Sequence, residues 1–197
     1  MLEPDDPAAL LIRGTRMLMA GYPVQAQGVL EKALDNARRE GNLSAQAAAL
    51  GTLAELDLSD RRFKDAEARV DALAEVLGNQ PDVRYLRARL ALELRDVERA
   101  KVELQEVLAA SKSHTPAQRL LGAIYTLENQ FDLAEMFLRQ VVAADPDDLF
   151  ARRLLETVLL ARNRPAEALP LLENATAPDA QSREALLTMM GSASLEL

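Results

Sequence analysis

The chain has 197 residues, with 31 acidic and 23 basic side chains, one His, no Cys and no Trp, for a net charge of −8. Without Cys there is no disulfide scaffold, thiol nucleophile or thiolate metal site, and a single His cannot build a His-based metal cluster. The acidic balance, with 19 Arg and 4 Lys dispersed among the acids, argues against nucleic acid as the main partner, because phosphate binding needs a basic footprint. Ala and Leu fill 70 positions while aromatics make up 4%, a mixture that favours helix and offers little material for strands. The opening Met1-Leu2-Glu3-Pro4-Asp5-Asp6 lacks the basic and apolar regions of a secretion signal. No stretch approaches the roughly 20 apolar residues of a membrane span. If the natural protein is exported, its targeting segment is missing from this chain.

Small residues recur twelve positions apart, at Gly14 and Ala26, Ala54 and Ala66, Ala88 and Ala100, and Gly122 and Ala134. Glu156 and Ala168 keep the spacing without the small first residue. From Ala66 to Ala168 the second position returns every 34 residues, whereas the step from Ala26 to Ala66 is 40, which puts six extra residues around Arg38 to Leu43. Each period reads as two antiparallel helices joined by a short turn, at Gly21, Arg61, Arg95, Asn129 and Asn163. The small pair lets the two helices approach closely. Leu30, Val70, Leu104, Leu138 and Leu172 follow the second small residue by four and share its helix face. Pro23 and Pro165 suit the first position of a second helix, where the missing N–H has no partner to lose. Pro170 falls inside that helix, so a kink or break is expected there. Asp5-Asp6 and Asp147-Asp148 fit helix caps. The repeat frames are 7–46, 47–80, 81–114, 115–148 and 149–182, followed by a first helix in 183–197 with Gly191 at the small position.

A 34-residue helix–turn–helix unit with this small/small signature resembles the tetratricopeptide repeat. The resemblance implies an all-α, right-handed superhelical solenoid of antiparallel helix pairs, a single array over 1–197. Tyr85-Leu86-Arg87-Ala88, the run from His114 to Gly122, and Ala151-Arg152-Arg153-Leu154-Leu155 look more specifically like the repeats of bacterial PEP-CTERM/exosortase-system tetratricopeptide lipoproteins. That resemblance implies a periplasmic or cell-envelope context tied to exopolysaccharide and protein sorting; a cytoplasmic location stays open.

Few residues offer chemistry. No glycine-rich phosphate loop is present, and neither a cofactor nor a catalytic set is expected. His114 reads as a solvated residue of the Ser111–Thr115 connector. Asp57, between Leu56 and Leu58, reads as displaced to a helix edge. The surface such an array offers is the groove lined by its first helices. Positions on that face give Leu11, Thr15 and Leu18, then Gly51, Glu55 and Leu58, then Asp82, Tyr85, Arg89 and Leu92. They continue with Pro116, Arg119, Ala123 and Thr126, and with Phe150, Arg153, Thr157 and Leu160. Tyr85, Arg89, Arg119, Thr126, Phe150, Arg153 and Thr157 are the candidate groove-binding residues, because aromatic and Arg side chains dominate recognition hot spots. The competing reading is that the Arg side chains lie over helical surface or pair with neighbouring acids. The Lys/Asn/Arg carboxylate clamp of chaperone-binding tetratricopeptide domains is not reproduced.

The expected function is a non-catalytic scaffold holding a protein or peptide segment in its groove. A helical-repeat nucleic-acid binder and a regulatory segment of a larger enzyme are the alternatives. The last helix, 183–197, carries apolar residues on more than one side; this predicts a chain that continues past residue 197 and an end open to self-association.

Overall fold

The computed structural model describes residues 5–173, so the expectations for the helix over 183–197 lie outside the described residues. Ten helices and no strand occur among the described residues. Contacts divide the chain into two compact units, residues 1–110 and residues from 111 onward. The first unit holds α1 (Pro7–Met19), α2 (Pro23–Glu40), α3 (Leu43–Ser59), α4 (Phe63–Leu77), α5 (Pro81–Glu93) and α6 (Val97–Ala110). The second holds α7 (Thr115–Leu127), α8 (Phe131–Ala144), α9 (Leu149–Ala161) and α10 (Pro165–Glu173). Sequential helices pair as α1/α2, α3/α4 and α5/α6 in one unit and as α7/α8 and α9/α10 in the other; α2 also packs on α3, α4 on α5 and α8 on α9.

Every hairpin turns through one left-handed residue: Gly21 (φ 80°), Arg61 (59°), Arg95 (63°), Asn129 (58°) and Asn163 (55°). These are the five turn positions expected from the spacing. The next N–H in each case closes back five residues, as in Tyr22 to the Met17 carbonyl (2.9 Å) and Arg164 to the Leu159 carbonyl (2.9 Å). This is the Schellman closure, which satisfies carbonyls that a helix end otherwise leaves open. Glycine enters the left-handed region freely, Asn tolerates it, and Arg does so at a steric cost.

The small positions make the hairpins close. Ala26, Ala66, Ala100, Ala134 and Ala168 are fully buried, and so are Leu30, Val70, Leu104 and Leu138. A methyl placed on Gly14 would sit 2.7 Å from Leu30 Cδ2, and one on Gly122 would sit 2.7 Å from Leu138 Cδ2. Glu156, at the equivalent position of the fifth repeat, is buried in α9.

The six extra residues of the first repeat do not form a loop. α2 has 18 residues against 14 in α6 and α8, and α3 has 17 against 13 in α5, α7 and α9. The connector shrinks to Gly41, left-handed at φ 66°, and Asn42, whose side chain accepts from the Ala45 N–H. Asp6 and Asp148 cap α1 and α9 in the same way, at 2.8 Å to Ala8 N and 2.9 Å to Ala151 N. α10 stays helical from Pro165 through Glu173, so the break expected at Pro170 does not occur there.

Two further expectations are corrected. His114 is not merely a solvated connector residue: half-buried, its Nδ1 accepts from the Ala117 N–H at 3.1 Å and caps α7. Asp57 is not at a helix edge but 1% exposed, where equivalent positions hold Ala91, Tyr125 and Leu159. Its burial is tolerated because Arg62, at the start of α4, donates to Oδ1 from Nε (3.0 Å) and Nη2 (2.7 Å). Arg69 Nε lies 3.6 Å from Oδ2, which accepts no hydrogen bond. The same guanidinium groups reach α2: Arg62 donates to Gln27 (3.1 Å) and Arg69 to Glu31 (3.0 Å). One buried carboxylate thus ties α3 to α4, and through its two Arg partners to the preceding helix.

The second unit repeats the device with the acid moved from the first helix of the repeat to the second helix of the preceding one. Glu135 on α8 accepts from Arg139 Nε (2.8 Å) and from Arg164 at the start of α10 (2.8 Å), and Arg162 lies 3.0 Å away. In repeat register Gln27 corresponds to Glu135, and Arg62 to Arg164. Burial pushes the Glu135 carboxyl up, but the Arg139 hydrogen bond and the charges of Arg139, Arg164 and Arg162 outweigh it and hold the group below the usual carboxylate range.

Candidate functional site

The candidate groove residues are divided between the two units. In the first, α3 and α5 face each other across a cavity of about 330 Å³. α3 contributes Ala47, Ala48, Gly51, Thr52 and Glu55, α5 contributes Asp82, Tyr85 and Leu86, and Leu73 and Leu77 of α4 complete the lining. Gly51 leaves this space open, for a methyl built on it would meet only Leu73 Cδ2, at 4.0 Å. Tyr85 presents a half-buried ring beside the carboxylates of Glu55 and Asp82. Arg89, outside the lining, pairs with Glu55 at 3.5 Å, and Asp82 is the second acid of the lining.

In the second unit the five remaining candidates have unequal roles. Arg119 donates to Asp148 at 3.2 Å, the carboxylate that also caps α9. Thr126 donates to the Gly122 carbonyl (2.7 Å) and Thr157 to the Arg153 carbonyl (3.0 Å), local bonds inside their own helices. Phe150 is 53% exposed at the start of α9. Arg153, one turn further, is exposed and makes no ion pair with the described residues. For Arg89 and Arg119 the pairing reading holds; Phe150 and Arg153 are the two groove candidates in this unit that remain uncommitted.

Leu73 and Leu77 belong to a second helix, so a lining counted from first helices alone leaves them out. They lie seven and eleven residues beyond Ala66, on its helix face, and that spacing is the signal that locates them.

Among the described residues no group of three or more His, Cys, Asp or Glu could hold a metal ion. No described helix is long and apolar enough to cross a membrane.

Repeated helical hairpins with a small/small contact and a left-handed turn are the architecture of tetratricopeptide-repeat folds. The sequence agrees: a family model described as "Tetratricopeptide repeat" matches residues 91–157. No curated protein matches in sequence. Among solved structures, the chain is similar to TTC0263, a thermophilic tetratricopeptide protein of Thermus thermophilus, at 20% identity and a TM-score of 0.72, over 96% of this chain and 99% of that one. It is also similar to YrrB, described as having an unusual peptide-binding site, at 17% identity and a TM-score of 0.56, over 94% of each chain. Yeast Tom70 matches at 17% identity and a TM-score of 0.77, over 99% of this chain and 41% of its own length. At these identities the likeness is one of fold.

Proposed function

We propose that the protein is a non-catalytic interaction scaffold whose α3–α5 cavity holds one apolar side chain of an extended peptide or protein segment. The tetratricopeptide fold supports a protein-interaction role in general, since such proteins are generally non-catalytic scaffolds. The observation that carries the finer reading is the open space above Gly51, floored by Leu73 and Leu77 and flanked by the Tyr85 ring. An apolar pocket with a few convergent polar groups is the usual form of a binding site. Asp82 at its rim, beside a Glu55 already paired with Arg89, favours a Lys or Arg next to the anchoring side chain. Phe150 and Arg153 offer a separate contact of opposite charge on the second unit. The resemblance to envelope lipoproteins makes a periplasmic sorting or exopolysaccharide system the proposed setting.

Selection from a displayed random peptide library, followed by affinity measurement on the selected sequences, tests this. Peptides joining a bulky apolar residue to a basic one should emerge. Gly51→Leu, which fills the cavity, and Tyr85→Ala should each weaken them about tenfold or more. Selected peptides indifferent to both substitutions, or no selection at all, would exclude the cavity as the site.

A further inference from the structure

The exposed side of α1 has the register of a helix-receiving face. In α3, α5 and α9 the corresponding side is covered by the preceding helix: α2 on α3, α4 on α5 and α8 on α9. That side is small or β-branched at its first position and apolar seven residues on. The first position holds Ala49, Val83 and Ala151, all fully buried. Seven residues on come Leu56, Leu90 and Val158, at 7%, 5% and 0% exposure. α1 keeps the small residue as Ala9 but places Arg16 where those apolar side chains stand; Arg13 stands where α3 and α9 have Leu53 and Leu155 and α5 has Arg87. Both Arg residues are exposed, and they flank a depression of about 480 Å³ lined by Ala9, Ile12, Met17 and Tyr22. Ile12 and Tyr22 are each 56% exposed.

We propose that this face docks an amphipathic helix of a partner protein that carries acidic residues opposite Arg13 and Arg16. The shape argument is internal to the molecule: the same face accepts a helix in three other places. The charge argument decides the chemistry. Two guanidinium groups three residues apart share one side of α1, in a chain of net charge −8. An acidic flank on the incoming helix would pair with both, while the apolar strip covers Ile12 and Tyr22. A second copy of this chain is the less suitable occupant, because two bodies of the same net charge repel. The surface is distinct from the α3–α5 cavity.

The probe is a helix-favouring peptide of about 18 residues, five turns, with Leu and Ala along one face and Glu on both flanks. Its twin has Lys in place of every Glu. Fluorescence anisotropy with the full 197-residue chain should show the Glu peptide binding about tenfold or more tightly than the Lys twin, with affinity falling as salt rises from about 0.05 to 0.5 M. Arg13→Glu with Arg16→Glu should invert the preference, and circular dichroism should show the helix content retained. Gly51→Leu should leave this binding unchanged, which separates it from the cavity. Equal binding of both peptides, absence of binding, or an unchanged preference in the double variant would overturn the proposal. So would sedimentation showing a dimer of the unmodified chain that the double variant dissolves, since the occupant would then be a second copy.

Discussion

Replacing Gly122 with Ala opposes two effects of known size. The substitution favours helix by about 1 kcal/mol at an interior position. Against this, the new methyl would lie 2.7 Å from Leu138 Cδ2 and 2.8 Å from Cγ, well inside the roughly 3.5–4.0 Å of a comfortable carbon contact. Leu138 is fully buried among close-packed neighbours, so either its side chain turns against them or the hairpin widens. Overpacking of this kind costs about 1–3 kcal/mol. At the equivalent positions the third repeat holds Ala88 and Leu104, both fully buried, so a methyl and a Leu can be accommodated there and the upper part of that range is not reached. The expected net effect is a loss of about 1 kcal/mol. Gly28→Ala is the control, because a methyl there meets nothing within 4 Å and the helix gain of about 1 kcal/mol stands alone. The second repeat suggests the rescue, since it pairs Ala54 with the smaller Val70. Adding Leu138→Val to Gly122→Ala should reveal a favourable coupling of about 1 kcal/mol in a double-mutant cycle followed by urea unfolding. If Gly122→Ala stabilised the protein as much as Gly28→Ala, or the cycle showed no coupling, the close-approach account of the small positions would be wrong.

Asp57→Ala removes the carboxylate that accepts from Arg62 and lies 3.6 Å from Arg69. Because both Arg side chains keep partial access to water, the loss should fall near the lower end of the roughly 3–5 kcal/mol of a broken buried pair, measured by thermal unfolding. Arg95→Gly relieves a left-handed non-glycine residue at φ 63° and should stabilise by about 0.5–1 kcal/mol, whereas Arg95→Val should destabilise. His114→Ala deletes the α7 cap and should cost about 1 kcal/mol, with His114→Asp restoring it. Glu135 is held below its ordinary value of 4.5, so its stabilising contribution is complete above that pH and drains away as pH falls through the lowered value. Unfolding free energies of the unmodified chain and Glu135→Gln should therefore differ at neutral pH and converge in acid; a constant difference across the series would contradict the sign.

The fold is legible because each repeat restates it. A small residue at Ala134 must face a small residue at Gly122 for mechanical reasons, and the turn residues Asn129 and Asn163 are visible as types that accept left-handed backbone. The ionic ties are only partly legible in this way. Asp57 interrupts an apolar run, and nothing within its own helix says that Arg62 and Arg69 will enclose it. Arg89 and Arg119 can be placed on first helices by spacing. Glu55 is the register equivalent of Arg89 one repeat earlier, so that pair follows from the spacing, whereas Asp148, the cap of α9, holds no position equivalent to Arg119. Periodicity in one helix reports which side faces the neighbour; it carries no information about which charge the neighbour brings.

The lengthened first repeat has a consequence for how this chain can tolerate insertions and deletions. Four added residues are slightly more than one turn of about 3.6, so α2 and α3 each gain a turn while keeping nearly the same side toward the core. Ala37 and Ala45, both buried on these extensions, continue the inner faces without rotation. Length in such a hairpin therefore changes in steps rather than continuously. Excising six residues from the middle of the extension would return a hairpin of ordinary size. Removing a single residue from α2 between Leu34 and Gly41 would instead swing its end by about 100° and turn polar side chains into the core.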